Sequence, residues 1–175
     1  MVAAIVCVAL RPSDVLSYDG LSFYGNFRET LLPYGLGLVA TSYFLLRACL
    51  TLVDSQVARS FRAGLEIIAI ALLGIVATPS FSYLWFVQDL HVVFGLVIFI
   101  AQAVLSLNYL RHAEHSTFDT ILLTLQVLAI VVAALSLHEI HALSLMLPAQ
   151  LLAVVAFDTL LLRAVHAETK RPVRA

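Results

Sequence analysis

The chain has 175 residues, of which 62% are hydrophobic and 12% charged, with a formal net charge of −1 and a mean hydropathy of +1.00. A water-soluble domain of this size has too much surface for its volume to hide so much apolar side chain, so the solvent that fits is a lipid bilayer. The near-neutral charge excludes the concentrated basic face that nucleic acid demands. Cys7 and Cys49 both fall within apolar runs and form no CxxC pair, which argues against a disulfide framework and a thiol-redox enzyme.

Residues 1–10 are wholly apolar, yet a helix of that length reaches only about 15 Å, half a bilayer, before Arg11-Pro12-Ser13-Asp14 stops it. A basic leader and a small-x-small cleavage site are both missing, so this is read as a short or truncated first helix and not as a signal peptide. Residues 11–30 form the longest polar stretch, a loop in which Tyr18, Asp19 and Tyr24 are candidate recognition residues. Five segments then reach the roughly 20 apolar residues a span requires: 31–53, 63–84, 89–110, 117–137 and 142–165. Lipid cannot satisfy backbone hydrogen bonds, so each segment must be a helix. The expected fold is all-α, a polytopic bundle of five full spans plus the short first helix. The connectors are too short for a further domain, which makes 1–175 a single membrane unit with a basic tail over 166–175.

Positive charge sets the orientation. With the N-terminus cytoplasmic, Arg59, Arg62, Arg111, Lys170, Arg171 and Arg174 lie inside, with Arg47 and Arg163 near that face. Only Arg11 and Arg28 fall outside, a bias of eight to two. Both ends are therefore expected in the cytoplasm of a cell's plasma (inner) membrane, and 11–30 becomes an outer loop. Tyr18, Phe23, Tyr24, Phe27 and Tyr34, together with Tyr83, Trp85 and Phe86, then occupy the outer headgroup level, where aromatic rings accumulate.

Ionisable groups inside a span are costly and therefore informative. Arg47, Glu66 and Asp158 fall in the cytoplasmic third of their spans, where Arg47 with Glu66, or Arg163 with Asp158, would lower the cost of burial. Gln102 and Gln126 sit deeper and extend a polar network between helices. The small pairs Ala129/Ala133 and Ala149/Ala153 suit close helix approach. At the other face lie His91, two residues after Asp89, and His138 and His141 flanking Glu139. Three imidazoles with two carboxylates could hold zinc or copper, and two imidazoles on different helices could hold a haem; interfacial hydrogen bonding accounts for them as well. His112 and His115 share a charged connector with Glu114 and read as solvated. HExxH, GxSxG and a phosphate-cradling glycine loop are all missing.

The stretch Leu16-Ser17-Tyr18-Asp19-Gly20-Leu21-Ser22-Phe23-Tyr24-Gly25 after a first helix, and Gln88-Asp89-Leu90-His91-Val92-Val93-Phe94-Gly95 opening the fourth, resemble the six-helix Frag/DRAM/Sfk type of membrane protein and its prokaryotic relatives of unknown function. The proline-rich first loop usual in that family is not obvious in this chain. The resemblance implies six short-looped helices, a non-enzymatic role in binding membrane lipid or organising a membrane protein partner, and His91 as a site residue. The competing expectation is a small transporter or metal- or haem-binding protein built on the outer histidines. A third, a lipid-modifying enzyme, would need Asp19, His91 and Glu139 to converge.

Overall fold

The computed structural model describes residues 2–16, 20–50, 56–80, 83–112, 116–136 and 143–169. Among them every regular element is helical: α1 (Val2–Leu10), 3-10 turns at Pro12–Asp14 and Leu21–Asn26, then α2 (Arg28–Cys49), α3 (Gln56–Ala77), α4 (Trp85–His112), α5 (Thr117–Leu135) and α6 (Met146–Thr169). The stretches Arg28–Cys49, Trp85–Arg111, Thr117–Leu135 and Met146–His166 are long and apolar enough to cross a membrane. The chain is accordingly an integral membrane protein. Its outside agrees: Leu32, Leu36 and Phe44 on α2, Leu96 and Ile100 on α4 and Leu128 on α5 are exposed, a distribution that in water would mark one continuous sticky surface.

Neighbouring helices run antiparallel, as their contacts reveal. The Cys7 thiol approaches the Thr30 carbonyl, while a Cβ on Gly37 would collide with Ala3, so α1 descends as α2 rises. Ser42 Oγ donates to the Ala69 carbonyl at 2.8 Å and Cys49 Sγ meets the Arg62 carbonyl at 3.6 Å, which sets α2 against α3. Gly64 lies under Leu105 and Gly74 under Phe94, which does the same for α3 and α4. Ser106 joins Gln126 across α4 and α5, and Asp119 joins Arg163 across α5 and α6. Two ends of the bundle follow. The terminal end holds the start of α1 and the end of α6; the loop end holds Leu10, both 3-10 turns and the start of α2.

Local chemistry explains several boundaries. Ser116 caps α5 with a reciprocal box, its hydroxyl accepting from Asp119 N–H while the Asp119 carboxylate accepts from Ser116 N–H, which satisfies two otherwise orphaned donors. In α3 both ends lie seven residues earlier than the expected 63–84. Thr78 N–H still closes on the Gly74 carbonyl, but Pro79 has no N–H to continue the ladder. The helix start extends into polar sequence because a helix need not end where the apolar run does. Pro33 sits inside α2 and removes the hydrogen bond that its N–H would have made to Glu29. The most extensive contact joins α5 to α6, where Ala129, Ala133, Ala149 and Ala153 are all buried and allow close approach. The main core links Cys49, Phe61, Leu65, Leu105, Leu122, Phe157 and Leu160 across five helices, and a second cluster at the loop end joins Cys7, Tyr24, Tyr34 and Leu147.

Candidate functional site

His91 lies in the second turn of α4, because that helix begins at Trp85 and not at Asp89. The ring is 8% exposed, and its Nδ1 is hydrogen-bonded to the Thr78 carbonyl. A carbonyl only accepts, so Nδ1 carries the proton and a neutral ring leaves Nε2 as an acceptor. Nε2 is buried and has no hydrogen-bond partner. Buried polar atoms in that condition call for an explanation.

Beside the ring is a cavity of about 240 Å³, enclosed by the Leu21–Asn26 turn, α2, the end of α3 with Pro79 and Ser80, and His91. The 3-10 turn can come close enough to close it because Gly25 lies flat on Tyr34; a Cβ there would be 2.8 Å from that ring. Thr30 Oγ1 donates to the Tyr24 carbonyl and Leu21 N–H donates to Gln150 Oε1 at 2.7 Å, so the turn is tied to both α2 and α6. Ser80 Oγ donates to Asn26 Oδ1 at 3.0 Å, which leaves the Asn26 amide nitrogen with its donors. Leu31 and Val76 line the cavity and are also 51% and 39% exposed, so it reaches the outside of the bundle between α2 and α3. Gly35 is on the wall, and a Cβ added there would meet nothing within 4 Å. Among the described residues that line the cavity there is no lysine, arginine, aspartate or glutamate.

The structure separates the remaining candidates. Asp89 is exposed, and two residues along a helix put it on a different face from His91. Tyr24 is fully buried, its hydroxyl 3.4 Å from the Arg11 carbonyl, so it is core rather than a recognition residue. Tyr18, Asp19, His138, Glu139 and His141 lie outside the described residues. Among the described residues no three His, Cys, Asp or Glu side chains are grouped to hold a metal.

Toward the terminal end the expected ion pairs are rearranged. Glu66 pairs with Arg62, one turn away on the same helix at 3.1 Å, and not with Arg47, which is exposed. Arg163 pairs with Asp119 and not with Asp158. Asp158 stands near the middle of α6, Met146–Thr169, not in a cytoplasmic third. Gln102 and Gln126 are both buried, and Ser106 Oγ donates to Gln126 Oε1 at 2.7 Å. Gln102 Oε1 and Gln126 Nε2 have no partner, an acceptor and a donor left over in one buried layer.

Sequence reasoning missed Asp119, which is 1% exposed and accepts from Ser116 N–H and Oγ, each at 2.8 Å, and from Arg163 Nη2 at 3.2 Å. The spacing Ser116-x-x-Asp119 was the available signal. It also missed Ser22, Asn26, Gly35 and Ser80, which no spacing ties together. Compared with models of protein families, with curated proteins and with solved structures, the chain matches none.

Proposed function

We propose that this is a non-enzymatic lipid-binding membrane protein whose site is the cavity between α2, α3 and α4. In this reading α3 is a fifth span and α1 reaches only about 14 Å, at 1.5 Å per residue. Both ends are cytoplasmic, which puts the cavity in the outer leaflet. The observation that carries the reading is the lateral opening: the same wall that holds His91 and Asn26 continues through Leu31 and Val76 onto the lipid-facing surface. A lipid can enter such a site sideways without leaving the bilayer, its chains in hydrocarbon and its head against the polar wall. This combination of an apolar lining with a few placed polar groups is that of small-molecule sites generally.

The test uses a bifunctional lipid carrying a photoreactive group and a clickable handle, added to membranes containing the full chain. Cross-linked peptides should map to α2, α3 and α4. Gly35→Leu should abolish that labelling while leaving thermal stability intact, because the new side chain enters open space. Labelling that persists unchanged in Gly35→Leu would remove the cavity from the account. Orientation is read separately: a C-terminal green fluorescent protein fusion should fluoresce and an alkaline phosphatase fusion should be inactive.

A metal- or haem-binding role is the second reading, and the unpartnered Nε2 of His91 favours it, because a neutral imidazole nitrogen with a free lone pair is what a transition metal takes. A Soret band, or stoichiometric metal in the purified protein that is lost in His91→Ala, would support it over lipid binding.

A further inference from the structure

We infer that Gln102 and Gln126 hold an internal water molecule that bridges α4 to α5 at the middle of α5, a site separate from the cavity. Both side chains are buried, and each keeps one polar atom without a hydrogen-bond partner, Gln126 Nε2 and Gln102 Oε1. The first only donates and the second only accepts. Their mutual placement follows from Ser106. Its hydroxyl donates to Gln126 Oε1 at 2.7 Å, which holds the Gln126 carboxamide against that turn of α4. Gln102 is four residues before Ser106 and so occupies the same face of α4, one turn away. The leftover donor and acceptor therefore belong to one interhelical layer without bonding each other. Neighbouring turns on a helix face stand about 5–6 Å apart, the length of two hydrogen bonds of about 2.9 Å in series through one water.

The signs of the two atoms select the ligand. A cation would suit the Gln102 oxygen but be repelled by the Gln126 N–H groups, and an anion would suit the N–H groups alone. A neutral molecule with a lone pair and an O–H satisfies both, and water is the smallest that does. Ser106 Oγ, whose proton is engaged by Gln126, keeps its lone pairs and supplies the third partner that buried waters typically have. The surroundings form a polar seam rather than an isolated defect. Gln102, Ser106 and Tyr109 follow one another on α4 at spacings of four and three, and Asp119 and Gln126 share the buried face of α5. All five are 5% exposed or less. Tyr109 lies within electrostatic reach of Asp119 and Arg163, so polar side chains continue from the water toward the terminal end.

The experiment is water-edited solid-state NMR of the full chain in phosphatidylcholine bilayers, with the glutamine side-chain amides labelled with nitrogen-15. The Gln126 signal is identified by its loss in Gln126→Leu. Polarisation should pass from water to the Gln126 amide although that side chain is buried, and Gln102→Leu, which deletes the acceptor, should remove the transfer. If Gln102→Leu fails to fold, the transfer in the unaltered chain decides alone. A Gln126 amide that receives nothing from water overturns the inference; if Gln102→Leu then still shifts its resonance, the two amides bond each other directly. Transfer that survives Gln102→Leu unchanged puts the water elsewhere and overturns the inference as well.

Discussion

Replacing Asp119 by alanine tests the account of the terminal end most directly. The carboxylate is buried, yet it accepts from Ser116 N–H, Ser116 Oγ and the Arg163 guanidinium, so truncation removes two contributions at once. Loss of the α5 cap costs about 1 kcal/mol. Loss of the charge-assisted hydrogen bonds that tie α5 to α6 costs about 1.5–3 kcal/mol more. For a chain of this size each kcal/mol moves Tm by about 2–4 °C, so the loss predicted is roughly 5–16 °C. Asp119→Asn keeps an oxygen for Ser116 N–H and gives up the charge, and should fall about midway. The assay is thermal unfolding of the detergent-solubilised chain, followed by tryptophan fluorescence and size-exclusion profile. Because the interhelical part depends on both partners, Arg163→Ala should add little once Asp119 is alanine. A Tm within about 2 °C of the unaltered chain for Asp119→Ala, or strictly additive losses in the double variant, would refute the reasoning.

Three further outcomes follow from the packing. Ser42→Ala removes a buried hydrogen bond between α2 and α3 but leaves the Ala69 carbonyl in its own helix, so the loss should be about 0.6 kcal/mol and under about 1.7 kcal/mol, read in the same melts. Gly74→Leu forces side chain into a place where a Cβ alone would be 2.7 Å from Phe94; it should cost about 1–3 kcal/mol and be relieved by Phe94→Ala. Cys7 and Cys49 are both buried, so N-ethylmaleimide should leave the folded protein unmodified and add two adducts only after denaturation in SDS, counted by intact mass.

Helix existence was legible because hydropathy is a one-dimensional signal: each of the four membrane-crossing stretches contains most of an expected span. The alanine spacing of α5 and α6 was legible for the same reason, since helical period converts spacing into a face. Partners were not. Asp119 and Arg163 are 44 residues apart, and nothing in local spacing chooses Asp119 over Asp158 for that arginine. Glu66 chose the nearer arginine on its own helix, a contact set by a 3.6-residue period rather than by the cost of burial. His91 was singled out, but its partner is a main-chain carbonyl at a helix end that Pro79 determines. The cavity was least legible of all, because it depends on where a turn closes over an unfilled position at Gly35.

Pro33 and Gly35 give α2 a further property. The first turns of that helix lack one internal hydrogen bond at Pro33 and carry a residue with no side chain, Gly35, which lies on the cavity wall. The terminal end, by contrast, is braced by the Ser116 cap of α5 and by the Asp119–Arg163 pair that ties α5 to α6. One missing hydrogen bond and one empty side-chain position lower the resistance of these turns to bending beside the gap between Leu31 and Val76, while Thr30 and Tyr34 keep them tied to the loop-end core.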